Sequence, residues 1–155
     1  MRALLADYGR LLDKAGMAHH LDREDGVVRL VFVTRRYRNL RGERLAIVTL
    51  TAADDGRSCQ ATIERAFAAG DDPAATCLAA CRLAQASRGV AVAVDAASAT
   101  LSLSMTTVLE GTRLTGGQLL AMIDTLVMTA EAWCERIRHA TRRPGARRRV
   151  HCRAS

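Results

Sequence analysis

The spacing of hydrophobic residues changes several times along the chain, and these changes predict its secondary structure. In residues 3–16 apolar side chains recur at helical spacing, which predicts an amphipathic helix that ends near Gly16. From residue 26 the spacing falls to two, so three strands are predicted at 26–34, 44–51 and 57–64. The short piece 17–22 stays open as an additional strand, and Asp54-Asp55-Gly56 is predicted as a hairpin turn.

A second helix is predicted after these strands. Asp72-Pro73 is typical of an N-cap followed by proline in the first turn, and the apolar pattern continues to about Ser87. Its buried face is predicted to carry Cys77, Leu78, Cys81 and Ala84. Two further strands follow at 90–94 and 99–108, the second with apolar residues on one side and Ser or Thr on the other.

The last helix has the clearest signal in the chain. Thr115-Gly116-Gly117-Gln118 fits a capping box, in which the side chains of the first and fourth residues bond to backbone N–H groups. Its predicted apolar stripe consists of Leu119, Leu120, Ile123, Leu126, Val127, Ala130, Trp133 and Ile137. The order α-β-β-β-α-β-β-α therefore predicts an α+β fold, an antiparallel sheet with helices packed on one face. One domain is expected over residues 1–140, followed by a basic, disordered tail over 141–155.

The stretch from residue 90 to residue 133, together with this order of elements, resembles the YbjN-like family. The resemblance is carried by the hairpin 90–108, by Leu109-Glu110-Gly111 at its end and by the helix start at Thr115–Gln118, and it covers about residues 3–137. Members of that family are described as sensory transduction regulators, and their fold is shared with type III secretion chaperones. The resemblance implies a chaperone-like fold without catalytic residues. It also implies a homodimer that holds an extended segment of a partner protein.

The charged residues are distributed unevenly along the chain. The 155 residues carry 23 basic and 16 acidic side chains, a net charge of +7. Residues 136–155 contain eight arginines and no acidic residue, so the rest of the chain has 15 basic and 16 acidic side chains. The positive excess therefore lies at the end of the chain, and the remainder is nearly neutral.

One other segment is rich in arginine. The sequence TRRYRNLRGER at residues 34–44 lies between two predicted strands, so it is predicted as a hairpin loop. It is a solvated loop, a docking surface for a partner, or a contact for nucleic-acid phosphates, and Tyr37 either stacks on a base or packs on a neighbour. The candidate contacts with a polyanion or a partner are Arg35, Arg36, Tyr37, Arg38, Arg41 and Arg44, with Arg142, Arg143, Arg147, Arg148 and Arg149 of the tail.

No motif in the sequence indicates catalysis. His19 and His20 are adjacent, which suits a shared metal poorly, and Cys77 and Cys81 are interpreted as core residues despite an i, i+4 spacing that can chelate a metal. Cys152 in the tail is interpreted as an exposed thiol without a redox function. We therefore expect no enzyme activity, metal or cofactor.

The sequence favours a cytoplasmic protein. It contains no apolar run long enough to cross a membrane, and its five cysteines do not form an obvious disulfide framework. Two main hypotheses remain: a homodimeric adaptor or chaperone-like regulator that binds an unidentified protein, and a protein that binds nucleic acid through Arg35–Arg44 and the tail. A third hypothesis is a small-molecule sensor with a pocket between sheet and helices, but no residue in the sequence indicates which ligand it would bind.

Overall fold

The computed structural model describes residues 2–52, 58–108 and 114–141. Its elements are α1 (Arg2–Lys14), β1 (His20–Asp22), β2 (Val27–Val33), β3 (Leu45–Ala52), β4 (Ser58–Ala68), α2 (Pro73–Ala86), β5 (Val90–Asp95), β6 (Thr100–Val108) and α3 (Gly116–Thr141). The predicted turn at Asp54–Gly56, the segment Leu109–Gly111 and the arginines of the tail lie outside the described residues. No helix in the described ranges is long and apolar enough to span a bilayer.

The six strands form one antiparallel sheet in the order β1-β2-β3-β4-β6-β5. The predicted α+β fold is confirmed, and the segment left open before β2 contributes the short edge strand β1. Sequence order and spatial order differ at one point, because β6 lies between β4 and β5. Strand β5 is therefore the second edge of the sheet.

One face of the sheet carries the core. On β6, Leu101 and Leu103 are fully buried, whereas the alternating Ser102 and Ser104 are only partly covered. The same alternation places Val48 and Leu50 of β3 in the core. All three helices pack on this side. The opposite side, which no helix of the described chain covers, is called the open face below.

The long helix α3 matches its prediction closely. The backbone N–H of Thr115 donates to Oε1 of Gln118 at 3.0 Å, and the N–H of Gln118 donates to Oγ1 of Thr115 at 3.2 Å, so the predicted capping box is formed. Along the predicted stripe, Leu119, Ile123, Leu126, Ala130, Trp133 and Ile137 are buried. This helix thus supplies the main apolar cover of the sheet.

The predicted buried face of α2 is wrong. Asp72 caps the helix as expected, accepting the Ala75 N–H at 3.0 Å, but the buried residues of α2 are Thr76, Ala80 and Leu83. Leu78 is 53% exposed, Cys81 is exposed and Cys77 is only partly buried. The cause is composition: Arg82 is the only charged residue in Pro73–Ala86, so the apolar spacing does not distinguish one face of the helix from another.

Strand β4 extends beyond its predicted end at residue 64, and it contains a bulge. Its pairing with β6 shifts register between Ile63 and Phe67. Within the bulge Arg65 has a φ of 47°, a left-handed conformation that is uncommon for a residue with a side chain, and its N–H donates to Oγ of Ser102 at 3.0 Å. The bulge lets the strand continue to Ala68.

Candidate partner-binding surface

The segment 34–44, called the arginine loop below, joins β2 to β3 and is attached to α3 by one carboxylate. Glu131 accepts hydrogen bonds from the backbone N–H groups of Arg35, of Arg36 at 2.7 Å and of Tyr37 at 3.0 Å. Burial raises the pKa of Glu131, but the three N–H donors and the nearby Arg36 outweigh it, so the pKa lies below its ordinary value. The negative charge of Glu131 therefore fixes the start of the loop.

A buried tyrosine holds the same part of the loop from the other side. Tyr37 is 1% exposed, its hydroxyl donates to the carbonyl of Ala66 at 3.0 Å, and its ring meets Phe67 edge-on at a centroid distance of 5.7 Å. The hydroxyl of Thr34 donates to the Tyr37 carbonyl at 2.7 Å. Burial raises the pKa of Tyr37 to about 12. Of the two interpretations offered above, Tyr37 packs on a neighbour, and its ring is unavailable for stacking on a base.

The tip of the loop is folded on itself. Oδ1 of Asn39 accepts the backbone N–H groups of Arg41 and Glu43, each at 3.0 Å, and its Nδ2 donates to Oε2 of Glu43 at 2.8 Å. Gly42 has a φ of 81°, and its carbonyl accepts from Nη1 of Arg38 at 2.7 Å. These bonds hold the backbone in one conformation, so the side chains project from a defined frame.

The side chains of the loop arginines point into solvent. Arg35, Arg36, Arg38, Arg41 and Arg44 are all exposed. In the described part of the chain, none of their guanidinium groups forms a salt bridge with a carboxylate. The Arg38 guanidinium also holds the loop tip, but its partner is a neutral carbonyl, so the charges of the five arginines remain available to a binding partner.

Large aliphatic side chains are exposed next to this loop. Val31, Val33 and Ile47 lie on the open face, and Val31 pairs directly with Ile47 across β2 and β3. They are 60%, 86% and 46% exposed, and Leu40 of the arginine loop is 48% exposed. We call these four residues the aliphatic patch. Clustered aliphatic exposure of this kind is typical of a binding surface rather than of a solvated sheet.

A groove of about 450 Å³ separates the tip of the arginine loop from the bulge in β4. It is lined by Arg29, Asn39, Leu40, Arg41, Glu43, Ile47, Thr49, Glu64 and Arg65. Arg29 is already paired, because its guanidinium donates to Asp22 at 2.5 Å and to Asp25 at 2.7 Å. The charges within the groove nearly balance, so the positive excess of this region comes from the arginine loop itself.

The arginine loop also reaches the end of α3. A second groove of about 160 Å³ is lined by Arg38 and Leu40 of the loop and by Cys134, Ile137 and Arg138 of α3. Residues 142–155 continue from this end of the helix in sequence, and their arginines Arg142, Arg143, Arg147, Arg148 and Arg149 lie outside the described residues. The loop therefore lies beside the last turns of α3, a relation that could not be inferred from the sequence.

A separate exposed surface lies at the other edge of the sheet. Helix α2 packs beside β5, and the outward side of the helix presents Leu78 and Cys81, while Val94 of β5 is about half exposed. As an edge strand, β5 leaves one row of backbone N–H and C=O groups without a strand partner in the described sheet.

The remaining candidate residues do not assemble into a reaction centre. Nδ1 of His19 lies 3.2 Å from the carbonyl of Met17, whereas His20 is exposed on β1. Within the described ranges, no group of three or more His, Cys, Asp or Glu side chains is placed to hold a metal ion. Cys152 lies outside the described residues.

In the described part of the chain, an apolar cavity of about 460 Å³ between α1 and β1 is one place that fits the small-molecule hypothesis. It is lined by Leu5, Ala6, Leu21, Arg23, Glu24 and Gly26. One arginine and one glutamate on its lining do not identify a class of ligand.

No model of a known protein family matches the sequence, and comparison with curated proteins finds no match. Solved structures do resemble it. A chain of the HopA1–SchA chaperone–effector complex has a TM-score of 0.57 and 16% sequence identity, over 86% of this chain and 91% of that one. YbjN from E. coli has a TM-score of 0.52 and 16% identity, over 85% of this chain and 92% of that one. The chaperone-like fold that the YbjN-like resemblance implied is thus confirmed.

Proposed function

We propose that the protein is a non-catalytic adaptor or chaperone-like regulator, which acts as a homodimer in the cytoplasm and binds a segment of a partner protein. The observation that carries this proposal is the aliphatic patch beside a loop of fixed backbone. Exposed Val31, Val33 and Ile47 contribute little to the fold, and burying them in a complex would release the water that they order. A chain with the same fold takes part in a chaperone–effector complex, which supports the same proposal.

The homodimer is proposed to form through α2 and β5. Leu78 and Val94 expose apolar surface there, and a second copy of β5 would satisfy the unpaired backbone groups of the edge. Light scattering coupled to size exclusion measures the mass directly. We expect the wild type to be a dimer and Leu78→Glu to be a monomer, whereas Leu40→Glu, which alters an equally exposed leucine elsewhere, stays dimeric.

The adaptor proposal is tested by a tagged pull-down from the native cell with nuclease treatment. We expect one stoichiometric protein partner to survive the nuclease. A strictly monomeric protein that recovers no partner would contradict both parts of the proposal.

A second candidate function is binding to nucleic-acid phosphates through Arg35–Arg44 and the tail. The observation in its favour is the groove that both Arg38 of the loop and Arg138 of α3 line, in the part of the helix that precedes residues 142–155 in sequence. Phosphate binding releases counterions, so affinity for duplex DNA should fall steeply with salt. Deleting residues 142–155 should then reduce the affinity and flatten its salt dependence. If both stay unchanged, the tail is not the contact.

A further inference from the structure

The aliphatic patch and the arginine loop together form a surface with two chemistries. Val33 ends β2, and the loop begins immediately after it. At the base of the loop the N–H of Thr34 donates to the carbonyl of Arg44 at 3.0 Å. Arg35 follows the end of the patch at which Val33 lies, and Arg41 lines a groove together with Leu40 and Ile47. Val31 lies farther along the sheet. Apolar contacts are available in the middle of this surface and positive charge at one end.

The net charge of this end is set by the loop. Residues 35–44 contain five arginines and one glutamate, Glu43, which is engaged by Asn39. Glu131 of α3, which holds the start of the loop, is occupied by backbone N–H groups. A partner that brings carboxylates to this end would meet guanidinium groups without a salt bridge in the described chain.

Three other occupants fit this surface less well. The chain's own tail has arginines and no acidic residue, so it would be repelled by the loop. A second copy on this face would present the same basic loop, and a two-fold axis along the strands would bring two arginine loops together. Nucleic acid would match the charge, but its backbone offers nothing apolar to cover Val31 and Ile47, and the ring of Tyr37 is buried and cannot stack on a base.

We propose that this surface binds an extended acidic segment of a partner protein, with aliphatic side chains at alternating positions packed on Val31, Val33 and Ile47 and carboxylates paired with Arg35 and Arg41. The alternation follows from geometry: Val31 and Val33 are two residues apart on one strand, and alternate side chains of an extended occupant repeat at the same interval of about 7 Å. The inference rests on the proposed adaptor function and adds the chemistry of the partner.

The test is selection of a random peptide library displayed on phage against the full-length protein, followed by affinity measurements on the enriched peptides. We expect enriched peptides to be rich in Asp and Glu with interspersed Val, Ile or Leu. The double variants Val31→Thr/Ile47→Thr and Arg35→Gln/Arg41→Gln should each weaken their binding about tenfold. Only the arginine variant should reduce the dependence of affinity on salt.

Matched controls separate this surface from exposed valine and arginine in general. Val108→Thr changes an exposed valine at the far end of β6, and Arg82→Gln changes an exposed arginine on α2. Both should bind the peptides like the wild type. Thermal unfolding confirms that every variant is folded, and the backbone bonds to Glu131 do not depend on the side chain of residue 35.

Several results would overturn the inference. They are enrichment of neutral or basic peptides, acidic peptides that bind the patch variants and the wild type equally, or duplex DNA that displaces the peptides and loses affinity in the same variants. If a native partner survives nuclease but binds both double variants normally, the inference fails and the adaptor proposal stands. If peptides behave as expected but the native cell yields no partner, the adaptor proposal fails and the surface chemistry is supported.

Discussion

Along β6, Leu101 and Leu103 are buried under the helices, whereas Ser102 and Ser104 lie on the open face. Strands β2 and β3 break this alternation, because Val31 and Ile47 lie on the open face and are aliphatic. An exposed serine hydroxyl keeps its hydrogen bonds to water, whereas an exposed valine side chain gains none of the free energy that burial would provide. The contrast separates buried residues that stabilise the sheet from exposed aliphatic residues that gain little from burial, and it supports the binding proposed for the β2–β3 half.

The largest expected effect comes from the core side of this comparison. Leu103 is fully buried on β6, between β4 and β5, so Leu103→Ala should lower the free energy of unfolding by about 2–5 kcal/mol. Its neighbour Ser104 points to the open face, and Ser104→Ala should change the free energy of unfolding by less than about 0.5 kcal/mol. Urea unfolding followed by circular dichroism measures both. Equal losses in the two variants would contradict the assignment of the faces.

The next effect concerns the attachment of the arginine loop to the helical layer. Glu131→Gln keeps the size of the side chain but turns one acceptor oxygen into an NH₂ group that faces backbone N–H donors. Hydrogen bonds to a charged group contribute about 1.5–3 kcal/mol, so we expect a loss of about 1–2 kcal/mol at neutral pH. Glu135→Gln, an exposed change on the same helix, is the control and should have little effect.

The effect of Glu131→Gln on stability should also depend on pH. The folded pKa of Glu131 lies below its ordinary value of about 4.3, so its contribution is fully present above that value and is lost as the pH falls through the folded pKa. The difference in unfolding free energy between wild type and Glu131→Gln should therefore be constant near neutral pH and shrink in acid below about pH 4.3. If the difference in unfolding free energy instead grew on acidification, the folded pKa of Glu131 would not lie below its ordinary value.

A smaller effect tests how firmly the loop tip is defined. Gly42 has a φ of 81° with nothing within 4 Å of an added Cβ, so Gly42→Ala should cost about 1 kcal/mol through backbone strain alone. Gly117 in the first turn of α3 also has open space but an ordinary φ, and Gly117→Ala should leave stability unchanged or raise it. Thermal unfolding compares the two. If Gly42→Ala is stabilising, the loop tip does not require its left-handed glycine.

The two later helices show how far the sequence could predict this structure. In α3, polar residues such as Asp124 and Glu131 interrupt the apolar residues at regular intervals, so the spacing identified the buried stripe. In α2 the apolar residues continue around the helix, and the burial of Thr76 depends on hydrogen bonds to the carbonyls of Ala69 at 2.7 Å and Asp72 at 2.9 Å. Those carbonyls come together only in the folded chain.

The candidate surface was predictable in part. The cluster of arginines at 34–44 was visible in the sequence, and its position in a hairpin followed from the strands on either side. The role of Glu131 was not, because it lies more than ninety residues away along the chain. Nor could alternation alone decide which face of β2 is open: Val27, Val31 and Val33 are as apolar as Val28 and Leu30, so both faces satisfy the pattern.

The smallest expected effect on stability falls on the aliphatic patch, and it decides what the comparison between the faces means. Val31→Thr keeps the branched shape that suits a strand and exchanges one exposed methyl group for a hydroxyl, so the free energy of unfolding should change by less than about 0.5 kcal/mol. Val108→Thr, at a similarly exposed site on the same face, should behave alike. If Val31→Thr instead costs more than about 1 kcal/mol while Val108→Thr does not, Val31 is part of the core of the folded protein and its exposure has no bearing on binding. If both changes are small and only Val31→Thr alters affinity for a partner, the aliphatic residues on β2 and β3 are retained for binding, since the fold itself gains nothing from them.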